Sequence, residues 1–496
     1  MLKILIRREL LNNLMTFRFA AVMLITLLLV VANTAVLIQD YEQRVESYND
    51  AVKIHYEGLR KAKTYSTMYL FVDRAPNPLS IFNVGLDKRL GNLIGIWHGF
   101  VPTLWDTEMH GTDNPFIAFF SSIDIVFIFE VVLSLMGLIF AYDAIAGERE
   151  RGTLRLVLAQ PVRRGQILLA KYISAMLCLL VPLLLSLLFT LLLLIRSIPL
   201  SPADFFRIGS IVFASFAYLS LFYLIGMLIS VATRRTGTAL MLAMFVWGFL
   251  ILVYPNLIRA TINPGGNIQE RVNTVNNQIQ RIVDEYERDR KKFLKNEGIA
   301  EGSRFHEVLG LYTQASVDSA NMMSYIENLT DISETPPDFE RYISLAKRYF
   351  DFVEPLTIRT TERVWFIRKQ ALDDIFVRQA RMDRILLRLS PVGMYDAATQ
   401  TLAGTDLLGL RDFFEATRRY RKIVIDYFYA KRAFGSREWF AADKGAVDWS
   451  TFPEFVFERS DASVNAARAL PDLFLLIICN LVLFMGILLI FTRSEI

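Results

Sequence analysis

The sequence predicts an all-α integral membrane protein with six transmembrane helices, an N-terminal interfacial helix and a large, mainly helical extracytoplasmic domain. Three observations predict it. Of 496 residues, 53% are hydrophobic and mean hydropathy is +0.34, more apolar than a soluble chain of this length needs. Yet 21% are charged, and the two populations separate along the chain instead of mixing. The apolar runs have the ~20 residues that a helix rising ~1.5 Å per residue needs to cross a ~30 Å hydrocarbon core, and Lys and Arg gather at their ends.

Residues 1–18 come first. Leu2, Leu5, Ile6, Leu10 and Leu14 make one stripe, with Lys3, Arg7 and Arg8 elsewhere. That is the pattern of a helix lying on a leaflet; the alternative is that it simply begins the first span. Charge extending to Arg18, and no small-residue cleavage site after the first apolar run, argue against a cleavable signal peptide. The six spans are expected at 19–38, 116–142, 167–195 with a kink at Pro182, 208–232, 238–254 and 471–491.

Orientation follows from the basic residues. Lys3, Arg7, Arg8 and Arg18 precede the first span, six Lys/Arg fall from Arg149 to Lys171, Arg234-Arg235 mark a tight turn and Arg493 closes the chain. Only Arg196 and Arg207 mark the short opposite loop. This bias puts both termini, the loop 143–166 and the tail 492–496 in the cytoplasm, and 39–115 and 256–470 outside.

The outer segments read as helical. Tyr41, Val45, Tyr48, Val52 and Leu59 follow the first span at heptad-like spacing, and Ile268, Val272, Val275, Ile279, Ile282, Tyr286 and Phe293 follow the fifth. Two such seams pack together as a stalk or are separate core faces. Further helices are expected near 361–389 and 406–431, with Gly265-Gly266 and Pro336-Pro337 as punctuation. No period shows in 71–115 or 438–453.

Several function classes are excluded by what is missing. A net charge of +4 is too small to argue for nucleic acid, and the two cysteines, Cys178 and Cys479, both lie in apolar runs, so no disulfide framework is expected. No Walker-type phosphate loop, His-Glu-x-x-His, Cys-x-x-Cys or Gly-x-Ser-x-Gly occurs, which leaves an enzyme reading without a catalytic constellation. His98 and His110 share a loop with Asp106, Glu108 and Asp113; solvated loop residues are the better reading than a metal site. Asn328-Leu329-Thr330 matches a glycosylation pattern that recurs by chance. Two acids fall in the second span. Asp124 lies near its outer end, and Glu130 lies near its middle, where a carboxylate is either a functional polar site or hydrogen-bonded glue between helices.

The loop after the second span carries the strongest signal. Glu148, Arg149, Glu150 and Arg151 offer both signs of charge on one turn, Gly152 allows close backbone approach, and Thr153 and Leu154 open an apolar stretch that continues with Leu156 and Leu158. A mixed-charge turn with apolar anchors suits an aqueous docking surface, with Arg234 and Arg235 as a second contact. The run Ala144–Leu154, then Gln160-Pro161-Val162-Arg163-Arg164 and Ile167–Lys171, resembles permease subunits of type 2 ABC transporters (the ABC-2 family). It is similar to the branch that includes the permeases for nitrous-oxide-reductase maturation, gliding motility and sodium efflux. Ile6–Leu10, Leu389-Ser390-Pro391 and Leu402–Thr405 extend the likeness, while the large outer domain departs from the short-loop members.

The resemblance implies a non-enzymatic membrane subunit working with two copies of a cytoplasmic ABC ATPase, which would bind ATP and Mg, and with a second permease, identical or related. This chain itself would carry no cofactor. The expected function is ATP-driven export across the inner membrane. The alternative is mechanical transmission from the ATPase to a periplasmic partner, with no substrate crossing the lipid.

Overall fold

The structure is a computed structural model that describes residues 2–88, 91–103, 106, 123–159, 162–261, 268–330 and 336–493. Six helices among them are long and apolar enough to cross a membrane: Phe17–Lys61, Ile125–Glu150, Arg164–Ser197, Pro202–Ala232, Thr236–Ile258 and Ala462–Arg493. The fourth is the axis of the bundle, with 72% of its apolar window buried against 11% for the sixth. Small residues let its neighbour close in: a Cβ on Gly226 would stand 2.6 Å from the Ala141 Cβ of the second span.

The N-terminal helix, Leu2–Leu14, is separate from the first span. The chain breaks at Met15-Thr16, and the Thr16 hydroxyl accepts from the Phe19 N–H to cap the next helix. Leu10 and Leu14 rest on the bundle core, and Ile4 and Leu11 stay exposed. The first-span helix then runs for 45 residues to Lys61, because nothing between Gln39 and Glu57 is a helix breaker. The third runs through Pro182, and the sixth begins at Ala462, so that Pro471 lies inside it. The second and fifth each contain a π turn, Phe129–Leu133 and Phe249–Val253.

The two long loops together build one further domain, and it holds strands as well as helices. β1 (Leu70–Asp73) pairs antiparallel with β2 (Leu93–Ile96), and β3 (Leu311–Asp318) with β4 (Met323–Thr330). Its long helices are Ile268–Asn296, Phe339–Leu372 and Leu407–Ala430. Aromatic residues fill the core, including Tyr286, Tyr349, Phe350, Phe428, Trp439 and Phe440. The heptad seams are core faces on different partners. Ile279, Ile282 and Val283 pack against Val364 and Leu372, whereas Leu59 joins the core beneath β1 and Tyr41 joins the bundle. Asn328 sits on β4, fully buried, donating to the Tyr286 hydroxyl at 3.1 Å and to Thr357 at 3.2 Å. Its amide is satisfied inside the fold, which answers the glycosylation pattern in the negative.

A belt of ion pairs ties this domain to the spans beneath it. From the first span, Arg44 bonds Asp40 at 3.0 Å and Asp87 at 2.9 Å; Arg74 takes the other Asp87 oxygen at 2.8 Å. From the fourth, Asp204 meets Arg207 at 3.1 Å and Arg459 at 3.2 Å. From the sixth, Arg468 pairs with Asp412 at 2.6 Å and Asp472 with Arg388. The Tyr254 hydroxyl at the end of the fifth donates to the Leu386 carbonyl at 2.7 Å. Burial pushes the Asp87 carboxyl up, but the Arg74 and Arg44 guanidiniums outweigh it and hold it below the usual carboxylate range. A depressed carboxylate contributes stability above its unfolded pKa of ~3.9 that is lost as pH falls through the folded value. The thermal midpoint is therefore expected to fall as pH drops below about 4, and Asp87→Asn should flatten that part of the profile. An unchanged profile in the variant would contradict this assignment.

Candidate functional site: the loop between the second and third spans

Gly152 divides the loop. At φ 71° it adopts the left-handed conformation that separates the short helix Ala146–Glu150 from Thr153–Leu158. The first helix is held from below by one hydroxyl: Ser230 Oγ accepts from the N–H groups of Ile145 at 3.0 Å and Ala146 at 2.9 Å. Its N-terminal donors are thus satisfied by the fourth span.

Three of the four charges then reach to three different spans. Glu148 accepts from Lys171 Nζ of the third at 2.7 Å. Arg149 donates to the carbonyls of Val231 and Thr233, at 3.2 and 2.8 Å, where the fourth span ends. Glu150 accepts from the N–H and hydroxyl of Thr236, at 2.8 and 2.7 Å, where the fifth begins. The last two pairings suit the helix ends they meet: a cation at exposed carbonyls, an anion at exposed N–H groups. Leu154 is buried beneath the loop. What remains outward is Glu150, Arg151, Gly152, Thr153, Arg155 and Leu156, the last 69% exposed, with Arg234 and Arg235 also exposed. The sequence pattern located the loop, but Glu148 and Arg149 are half-buried and spent on the bundle, while Glu150 and Arg151 stay exposed.

Lys171 is the residue that sequence reasoning did not single out. It is 6% exposed and also meets Glu9 of the N-terminal helix at 3.3 Å, so one ammonium joins three elements. Arg18 likewise joins Asp143 at 2.9 Å and Tyr142 at 2.8 Å, and Arg164 donates to the Thr492 carbonyl of the sixth span at 3.0 Å. The available signal was a lysine one step inside an apolar run, where an unpaired charge is costly.

The two acids of the second span lie away from the loop. Asp124 caps the helix: its carboxylate accepts from the Phe127 N–H at 2.7 Å and from Val84 N–H of the outer domain at 2.8 Å. It is therefore buried in protein. Glu130 is half-buried within the π turn. Its carbonyl accepts from Tyr218 at 3.0 Å and from Ser134, whose oxygen takes the Trp247 N–H of the fifth span at 3.0 Å. Such turns are rare and recur at functional positions.

The loop that bears His98 and His110 is described only in part. His98 faces buried Glu354 at 2.9 Å, and Asp106 is held by Arg368; His110, Glu108 and Asp113 lie outside the described residues. No grouping of three or more His, Cys, Asp or Glu suited to a metal occurs among those described. Beside His98, burial pushes the Arg421 guanidinium down to about 10, against the opposing pull of Glu362 at 2.6 Å.

Comparison with known proteins bears on the family. Two proteins named probable ABC transporter permease protein NosY are similar to this chain. That of Stutzerimonas stutzeri is 31% identical over 134 residues, 26% of this chain and 48% of its own length. That of Pseudomonas aeruginosa is 51% identical over 43 residues, 9% of this chain and 16% of its own. The chain thus spans about half the length of the first of these curated relatives. The pattern of the family described as ABC-2 family transporter protein matches residues 4–495. With that match running over the bundle, the loop and the outer domain alike, this chain belongs to the ABC-2 transporter family and is a multi-pass permease subunit.

Proposed function

We propose that this permease is driven by a separate pair of ATP-binding subunits that dock on the exposed part of the 143–166 loop, and that it works with a second permease to export a substrate from the cytoplasm. One observation carries the reading: Glu148, Arg149 and Glu150 anchor the same short helix to the third, fourth and fifth spans. A push on Arg151–Leu156 therefore moves three spans together instead of bending a loop. The exposed Arg151, Arg155, Arg234 and Arg235 around Leu156 suit an acidic partner surface with an apolar pocket. The N-terminal helix braces this face through Glu9 and Lys171. ATP and Mg belong to the partner. Glu130 is the intramembrane polar contact of this reading.

The belt of ion pairs supports a second ending. The outer domain is bonded to the first, fourth, fifth and sixth spans, so a shift of the bundle reaches it directly and can act on a periplasmic protein without flux. In both endings the chain sits in the inner membrane with its termini and this loop inside. The test is a single cysteine at Thr153 in a cysteine-free background. It is expected to react with a membrane-impermeant maleimide only after the cells are opened, and to be shielded when the ATPase is co-expressed. Labelling from the periplasmic side of intact cells would overturn the proposal.

A further inference from the structure

Residues 452–460 belong to no helix or strand, yet exposure alternates from Pro453 to Arg459. Pro453, Phe455, Phe457 and Arg459 turn inward, while Glu454, Val456 and Glu458 face out, Val456 at 74% exposure. That period of two is the mark of an extended strand. The segment is well held. Phe455 and Phe457 meet the Phe413 ring edge-on at 6.1 and 5.2 Å. The Tyr420 hydroxyl donates to the Pro453 carbonyl at 2.7 Å, and Arg459 is fixed by Asn77 at 3.0 Å and Asp204 at 3.2 Å.

Its main chain, however, is unpaired. Among the described residues no backbone N–H or carbonyl from Glu454 to Arg459 makes a backbone hydrogen bond. A fixed, extended main chain without backbone partners shares with the edge strand of a sheet its unpaired N–H and carbonyl groups. Beside it opens a cleft of about 280 Å³, walled by Tyr56, Phe71, Tyr420, Trp449, Phe452 and Phe455, with the His55–Asp73 pair (2.8 Å) among its lining residues. The strip is acidic: Asp448, Glu454, Glu458 and Asp461 stand against Arg459, whose guanidinium is already committed, and Arg60, which lies over the Tyr56 ring at the cleft.

We propose that Glu454–Arg459 is the docking edge for a basic, extended polypeptide segment of a partner protein, which adds as a β-strand and places an apolar side chain in the aromatic cleft. Main-chain bonds supply affinity in this mode and the pocket supplies selectivity. Lysines on the outward face would stand opposite Glu454 and Glu458, where opposite charges stabilise a cross-strand pair. The inference concerns only the outer domain and does not depend on the ATPase reading.

The test uses the full chain in neutral-detergent micelles and a capped peptide, Lys-Phe-Lys-Val-Lys-Phe. Controls are the same peptide N-methylated at alternate residues and its Glu-for-Lys counterpart. Amide hydrogen exchange from Glu454 to Arg459 is expected to slow on binding, and both control peptides should bind about tenfold or more weakly. Glu454→Lys with Glu458→Lys should weaken binding by a similar factor with an unchanged thermal midpoint, since both positions are exposed. Equal binding of the N-methylated peptide, or no slowing of exchange in this segment, would overturn the proposal.

Discussion

Replacing Lys171 by methionine is expected to destabilise the protein by about 3–5 kcal/mol, the cost of leaving one member of a buried ionic cluster without its partner. Lys171 is 6% exposed and holds Glu148 at 2.7 Å and Glu9 at 3.3 Å. Without the ammonium, two carboxylates face each other at the edge of a low-dielectric bundle, and the N-terminal helix loses its polar tie to the third span. The stem of the side chain is replaced by one of similar length, so packing changes little. Lys171→Met combined with Glu9→Gln and Glu148→Gln removes the stranded charges and should recover most of the loss. Denaturation in detergent measures all three states. If the single variant is no less stable than the triple, the cluster does not hold this face together.

Glu148→Ala with Glu150→Ala is expected to leave membrane insertion intact and to reduce transport-coupled ATP turnover of the assembled complex about tenfold or more, the scale of a coupling energy of ~1–3 kcal/mol. The two carboxylates anchor the loop helix to Lys171 and to the start of the fifth span at Thr236. Without them the helix keeps only Arg149 and the Ser230 cap. A second pair, Arg151→Ala with Leu156→Ala, touches only the exposed side. It should instead weaken co-purification with the ATPase. The two pairs thus separate anchoring from docking. Loss of binding in the Glu148/Glu150 variant, with normal coupling in whatever complex remains, would reverse these roles.

What the sequence could carry was local. The spans were legible because each is a long, mainly apolar run, and the loop because its motif is contiguous. Pairings across long separations were not. Glu148 and Lys171 stand 23 residues apart and Glu150 and Thr236 stand 86 apart, with partner choice decided only when the bundle closes. A turn bearing both signs of charge reads as an outward surface until its partners are known. The β3–β4 hairpin was missed because its turn, Ser319–Met322, lacks the Asn-Gly or Asp-Gly pair that usually announces one; Met322 itself takes a positive φ of 52°. The heptad seam of Ile268–Asn296 was visible, but a seam does not say what covers it. The covering surface came from Val364 and Leu372, about 90 residues on.

The first-span helix has a geometric consequence. A continuous rod of 45 residues is roughly 68 Å long, and its outer half ends beside the aromatic cleft. Pivoting such a rod by about 5° near the bilayer midplane sweeps its far tip through roughly 4 Å. It behaves as an oar in a rowlock: a rotation too small to open a gap between the spans still travels a full side-chain diameter at the blade.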